Sequence, residues 1–330
     1  MGHGHGTGDG PAARRLVRRA ITVDARPDGH WDQGTLIEAR ARDDTCDTRG
    51  RLRTRAAEHL AVRVDADGRL RRSTDDGGDR LPDHLVGLDA RRGFRGALAA
   101  HYAPSGPADA LQAALLDDLP GLRIVSGYAR MLEHHAARRP FPASSALIGV
   151  CAGWRGDGTA ARAGTALPGL LVSRPPAEDR QDDRTWPVGP PPPRSGMRRR
   201  RLLQVTPGES TEVYGYFRDT YCRPDGVEIV LHEYEMTATV TRDSPVVADL
   251  TARPGALPFP ECPAAAGSAV RLHGVPIEDV EPQVRRRLTG THGCTHLNDL
   301  LRTLRLVEPM TALLRDTYAE PCDRPEDPAS

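Results

Sequence analysis

The sequence predicts an α+β fold arranged as a tandem pseudo-repeat, in which each copy has a small antiparallel sheet followed by packed helices. Three observations predict it. An Arg-Asp pair, a cysteine and a glycine recur in the same order in the two halves of the chain, alternating apolar and polar residues follow them, and a helical spacing of apolar residues comes last. The 330 residues are enough for two domains of ordinary size.

The repeat is clearest near the start of each copy. Residues 35–46 align with residues 211–222 at one constant offset, and residues 61–70 then align with residues 237–246. The later segments alternate between apolar and polar side chains around a turn signal, which predicts a hairpin. In this alignment Arg42, Asp43 and Cys46 of the first copy correspond to Arg218, Asp219 and Cys222 of the second. Each copy is therefore expected to open with about three antiparallel strands.

The period then becomes helical in both copies. Apolar residues recur at Leu85, Leu88 and Phe94 in the first copy and over residues 275–288 in the second. The last helix of the second copy is predicted to begin near Thr295.

Composition shifts give the expected boundaries. They divide the chain into a disordered glycine-rich leader, a first and degenerate copy, a Pro/Arg-rich linker, a second copy that carries a Cys/His site, and a disordered tail: residues 1–10, 11–172, 173–201, 202–322 and 323–330. The four arginines from Arg198 to Arg201 are interpreted as a solvated charge run at the end of the linker.

Composition also argues against several classes of function. With 4% aromatic residues and zero formal net charge, the chain lacks the signature of a nucleic-acid or membrane partner. It has no lysine, so Schiff-base and P-loop mechanisms are disfavoured, and no nucleotide cofactor is evident. The N-terminal residues have no apolar core typical of a signal peptide, and we expect a cytoplasmic protein whose cysteines are reduced thiols or ligands.

The most chemically distinctive segment is residues 289–301, where His292, Cys294 and His296 crowd together just before the predicted last helix. The corresponding residues 105–110 of the first copy keep the glycine but lack all three groups. This asymmetry is typical of a duplicated protein in which one copy has lost its site.

Several segments resemble a bacterial family, the domain of unknown function 2889. They are residues 26–36, 146–154, 258–263 and 293–301, and the Gly-Cys-Thr-His-Leu element at 293–297 is the specific part. The resemblance covers most of the chain as two diverged copies. A more distant similarity is to the NifU/IscU type of iron–sulfur scaffold, in which cysteines and a histidine or aspartate hold zinc or a cluster. That similarity implies Cys262 and Cys294 as ligands and, more loosely, Cys222.

Thiolate and imidazole ligands suit zinc or iron, and such a site needs three or four protein ligands. Cys262, Cys294 and either His296 or His292 can supply three, with Cys222 or Asp225 as a fourth. If residues 292–296 are extended, alternate side chains converge on one side, whereas a helix that has already begun at Cys294 separates them. His232, on a predicted strand, is a further candidate that we interpret first as a partly buried strand histidine.

Three alternatives stay open. Cys294 is a candidate thiolate nucleophile, because a cysteine just ahead of a helix has a lowered pKa, and His292 or His296 would then be its base. A metal or iron–sulfur carrier without a substrate of its own is the second alternative, and an interaction module whose cysteines only pack in the core is the third. The leading hypothesis is a zinc- or iron-binding protein, an enzyme acting on a small molecule through the second copy, whose two copies pack as an intramolecular pseudo-dimer. Its expected partners are that substrate or a metal or cluster donor.

Overall fold

One continuous antiparallel sheet forms the centre of the molecule. The computed structural model describes residues 14–73, 81–90, 93–101, 106–139, 147–163 and 189–319. The strand order across the sheet is β4-β3-β2-β1-β5-β6-β7-β8. The bounds of the strands in chain order are Leu16–Asp28 (β1), His30–Cys46 (β2), Leu52–Asp65 (β3), Leu70–Arg72 (β4), Gly196–Thr206 (β5), Thr211–Cys222 (β6), Glu228–Val240 (β7) and Val247–Pro254 (β8).

The expectation of a separate small sheet in each half is therefore wrong in one respect, although the α+β class is confirmed. β1 and β5 pair antiparallel over Val17–Ala25 and Met197–Val205, so the two sets of strands share hydrogen bonds along their first members. Joining the sets in this way removes two open sheet edges, which would otherwise expose unpaired backbone groups.

The helices pack on the sheet in two groups. Their bounds are Phe94–His101 (α1), Pro107–Ala136 (α2), Thr159–Ala163 (α3), Val280–Arg287 (α4), Thr295–Leu301 (α5) and Val307–Ala319 (α6). One apolar core lies between β1–β3 and α1–α2, and the other lies between β5–β8 and the helical segments after residue 262. Cys262–Leu272 and Gly290–His292 are 3-10 helices, and the last predicted helix does begin at Thr295.

The arginine run at 198–201 is the main correction to the predicted boundaries. It belongs to β5, and Arg198, Arg199 and Arg201 are only 3%, 0% and 5% exposed. Arg198 pairs with Asp24 through two bonds of 2.7 and 2.8 Å. Because buried carboxylates neutralise these guanidinium groups, a segment that looks like a solvated linker forms a central strand instead.

The remaining boundary predictions lie mostly outside the described residues. This holds for the expected leader at 1–10, the tail at 323–330 and the linker up to residue 188. Among the described helices, none combines the length and the apolar character that crossing a membrane requires.

Candidate functional site

A tight loop carries Cys294 and His296 into the second core. Gly293 lies so close to the preceding backbone that a Cβ there would be 2.3 Å from the Leu288 carbonyl oxygen. Asn298 fixes the same turn, because its side-chain amide donates to that oxygen at 2.8 Å. Cys294 is the extended N-cap residue of α5, and both Cys294 and His296 are buried. The loop thus needs glycine for the close approach and directs both side chains inward.

β6 and β7 supply the other half of the site. Their register places Asp219 opposite His232, and directly opposed residues of an antiparallel pair have side chains on the same face. The pairing shifts immediately after Asp219, where a bulge breaks the ladder. Both side chains then meet His296, which reaches them from the start of α5.

Asp219, His232 and His296 form a compact set whose ligand-competent atoms all lie within 4.8 Å of one another. Oδ2 of Asp219 is 3.6 Å from Nε2 of His296 and 4.0 Å from Nδ1 of His232. The two imidazole rings stack with centroids 3.6 Å apart. In the parts of the chain that the structure describes, no other set of His, Cys, Asp and Glu meets the same distance.

Arg199 holds the carboxylate of Asp219. Its guanidinium donates through Nε to Oδ1 at 2.8 Å and through Nη2 to Oδ2 at 2.9 Å, and both residues are 0% exposed. Burial raises the pKa of Asp219 to about 6, against the opposing effect of Arg199. A carboxylate has about four lone-pair sites, so Asp219 keeps acceptor capacity on the side that faces the histidines.

Burial lowers the pKa of His296 to about 3, and the charge of Arg199 lowers it further. The imidazole is therefore neutral at physiological pH, which is the form that binds metal ions. Its Nε2 has no hydrogen-bond partner among the described residues, and its Nδ1 lies 3.8 Å from Sγ of Cys294. A buried imidazole nitrogen without a partner is costly unless something occupies its lone pair.

The thiols lie beside this set. Burial raises the pKa of Cys294 to about 11, although hydrogen bonds from the Leu297 amide and the Tyr234 hydroxyl oppose the shift. Cys262 also has a pKa raised by burial, to about 12, and the neighbouring charges that raise it further include Cys294 and Cys151. These protonated thiols are poor nucleophiles, contrary to the lowered pKa expected for Cys294 from its place before a helix.

Cys151 reaches the site from the first half of the chain. The amide of the following residue, Ala152, donates to the Gly293 carbonyl at 2.9 Å. Gly153 then packs so tightly that a Cβ on it would lie 2.6 Å from Sγ of Cys262. Cys262, Cys294 and Cys151, of which the sequence did not indicate the last, therefore lie near enough to influence one another's pKa, but none of them belongs to the compact set.

Two of the predicted site residues lie elsewhere. His292 is exposed in the 3-10 segment before the loop. Cys222 ends β6 and its thiol faces the Arg223 carbonyl at 3.7 Å, and neither residue belongs to the compact set. Asp225, a suggested fourth ligand, accepts from the Val227 amide in the β6–β7 turn. Residues 292–296 are not extended throughout, because a 3-10 helix ends at His292 and α5 begins at Thr295, so the expected alternation of side chains does not apply. Sγ of Cys294 and Nδ1 of His296 nevertheless lie 3.8 Å apart.

Residues 197–308 match the model of a family described as Protein of unknown function (DUF2889). The match lies within the second half of the molecule and covers about a third of the chain, and it includes every residue of the compact set. Searches of curated proteins and of solved structures found no match.

Proposed function

We propose that this protein binds a divalent metal ion, zinc or iron, through Asp219, His232 and His296, and uses it on a small molecule. The observation that carries the proposal is the compact set itself, in which one carboxylate and two imidazoles lie within 4.8 Å of one another. The proposal keeps His296 as a ligand, as the sequence predicted. It replaces the cysteines that were expected as the other ligands with Asp219 and His232.

The spacing suits a metal ion. A tetrahedral ion with bonds of about 2.0–2.1 Å separates its ligand atoms by about 3.4 Å. The separations of 3.6 and 4.0 Å from Asp219 to the two imidazoles are close to that value. Because the two rings are stacked, metal binding requires them to turn apart until both in-plane nitrogen lone pairs point at one ion. Two histidines and one carboxylate are a common ligand set of catalytic zinc and of non-haem iron(II). Three protein ligands leave coordination positions open for water or a substrate, as in a catalytic site.

Both ends of the set have outer contacts of the kind that orient metal ligands. Nδ1 of His296 faces the Cys294 thiol, and the Asp219 carboxylate is fixed by Arg199. Metal-binding histidines and carboxylates in proteins are usually held by such second hydrogen bonds. Cys294 thereby takes the role of an orienting neighbour instead of a ligand.

A metal-free thiol enzyme is the second candidate, because one feature favours it. Cys294, His296 and Asp219 stand in the order of a nucleophile, a base and an orienting acid, at 3.8 and 3.6 Å. Against it, burial holds the Cys294 thiol protonated at pH 7, and His296, with its pKa lowered to about 3, is too weak a base to take the thiol proton. A carrier of iron–sulfur clusters is supported less, since Cys222 lies apart from the other thiols.

We also propose that the chain is a diverged duplication whose two copies form an intramolecular pseudo-dimer across the β1–β5 joint. The support comes from a repeated ion pair. Arg19 on β1 donates to both oxygens of Asp43 on β2 at 2.8 Å each. Arg199 on β5 holds Asp219 on β6 in the same way.

The bulge repeats as well. Pairing with the next strand shifts after Asp43 in the first half and after Asp219 in the second. Ala56 lies opposite Asp43, in the place that His232 has opposite Asp219. The first half therefore keeps the Arg-Asp pair and the bulge and lacks the imidazole, which supports the loss of a metal site in that copy.

The test is the metal content of full-length protein in which His3 and His5 are changed to alanine to remove adventitious ligands. After exposure to Zn²⁺ or Fe²⁺ and removal of excess ion, plasma mass spectrometry should find close to one ion per chain. His296→Ala and His232→Ala should lose it, while His292→Ala, the matched exposed histidine of the same segment, should keep it. Equal metal in His296→Ala and His292→Ala, or none in the parent, would refute the proposal.

A further inference from the structure

Arg199 lies at the junction of the two halves and contacts three carboxylates. Beyond the two bonds to Asp219, its Nη1 is 3.2 Å from Oδ2 of Asp299 on α5 and 3.9 Å from Oδ1 of Asp118 on α2. Its side chain is 0% exposed. A fully buried guanidinium is stable only where carboxylates surround it, so these partners fix where it can sit.

Helix α2 of the first half approaches Arg199 at a glycine. A Cβ on Gly121 would lie 1.9 Å from Nη1 of Arg199 and 2.5 Å from Oδ2 of Asp299. The backbone at Gly121 is helical, so the glycine is needed for the close approach and not for its own conformation. No residue with a side chain fits between α2 and the guanidinium.

The first half surrounds the guanidinium with further ion pairs. Asp118 binds Arg201 at 2.9 Å, and Asp117 binds Arg95 at 2.9 Å. Arg95, on α1, reaches across to Asp299 at 3.1 Å. Two helices of the first half thus help to fix the charges that hold Asp219.

We infer that the first half positions the metal site of the second half, with Gly121 and Asp118 of α2 acting as positioning residues through Arg199. This inference rests on the proposed function. The first half lacks a compact ligand set of its own among the described residues, and its α2 instead holds the guanidinium in the place from which it fixes both oxygens of Asp219. The first half of the chain then supports the site without supplying a metal ligand.

The experiment compares variants of the full chain by their affinity for Zn²⁺ and by the visible absorption of the Co²⁺-loaded protein. Gly121→Ala places a methyl group on Arg199 and should weaken Zn²⁺ binding about tenfold or more, the usual loss when an outer contact of a ligand is disturbed. It should also change the Co²⁺ spectrum. Gly127→Ala, on the same helix with nothing within 4 Å of the new Cβ, should leave both unchanged.

A stability control and a second variant complete the design. Leu111→Ala removes a fully buried side chain of α2, so it should lower the melting temperature without changing metal affinity in the folded protein. Should Gly121→Ala fail to fold, Asp118→Asn takes its place, with Asp117→Asn as the matched control that removes a charge without contacting Arg199. Asp118→Asn should weaken binding more than Asp117→Asn does.

The outcomes separate the two proposals. Parent protein that binds no metal would refute the proposed function, and the inference with it. Parent protein that binds metal while Gly121→Ala equals Gly127→Ala would overturn the inference alone. The inference would also be overturned if Gly121→Ala and Leu111→Ala lose affinity in proportion to their loss of melting temperature, or if Asp118→Asn equals Asp117→Asn.

Discussion

Replacing His296 with leucine should separate the metal site from the stability of the fold. Leucine has a similar volume, so the substitution removes the polar ring nitrogens without leaving a large cavity. In metal-free protein the wild-type Nε2 is buried without a hydrogen-bond partner among the described residues, which costs roughly 1–3 kcal/mol. Altered packing against His232 and Phe217 should cost up to about 1.5 kcal/mol. The free energy of unfolding of the metal-free variant should therefore lie between about 0.5 kcal/mol below and about 3 kcal/mol above that of the wild type.

Metal should shift the comparison toward the wild type. A ligand that binds only the folded state at a hundred times its Kd stabilises it by about 2.7 kcal/mol. Wild-type protein should gain this increment on addition of Zn²⁺, and His296→Leu should gain nothing. Urea unfolding in a chelator and then in excess Zn²⁺ measures both quantities. A metal-free variant more than about 2 kcal/mol less stable than the wild type, or a variant that Zn²⁺ still stabilises, would show that the reasoning is wrong.

Three further predictions concern the surroundings of the site. Gly153→Ala should destabilise the fold by about 1–3 kcal/mol in urea unfolding, because its Cβ meets a sulfur atom at 2.6 Å, whereas Gly156→Ala, with its nearest atom at 3.8 Å, should change stability by less than about 0.5 kcal/mol. Arg19→Leu should lower the free energy of unfolding by about 3–5 kcal/mol, because it leaves the buried carboxylate of Asp43 unpaired. Arg14→Leu, which removes an exposed ion pair with Glu212, should lower it by less than about 1 kcal/mol in the same assay. Burial raises the pKa of Cys262 to about 12, so about one in ten thousand of its thiols is ionised at pH 8. Peptide mapping should therefore find that iodoacetamide alkylates Cys262 over a thousandfold more slowly in native than in urea-unfolded protein. Equal rates would contradict the burial of this thiol.

Local patterns predicted part of the fold correctly. The α+β class, the hairpins of β3 with β4 and of β7 with β8, and the start of the last predicted helix at Thr295 all follow from side-chain periodicity and turn residues. β1 and β5 did not follow from it. β5 carries four consecutive arginines, and whether such residues lie in a core depends on partners such as Asp24 and Asp118, which lie far away in the sequence. The periodicity of a local segment does not show which distant residues will pair with its side chains.

The sequence also predicted only some of the residues of the site. Spacing alone indicated Cys294 and His296, because both lie in one short segment with a distinctive composition. Asp219 was visible only as part of a repeated Arg-Asp pair, and nothing in its neighbourhood marked it as a ligand. Its meeting with His232 depends on the register of β6 and β7, and its meeting with His296 depends on how α5 packs on the sheet. Both contacts depend on tertiary structure, which the local sequence pattern does not determine.

X-ray absorption spectroscopy of the zinc-loaded protein tests the central claim most directly, because it reports the atoms bound to the metal. Ligation by Asp219, His232 and His296 predicts a first shell of nitrogen and oxygen at about 2.0–2.1 Å, with the outer-shell scattering typical of imidazole. A sulfur scatterer at about 2.3 Å would contradict it and would return Cys262 and Cys294 to the place of ligands.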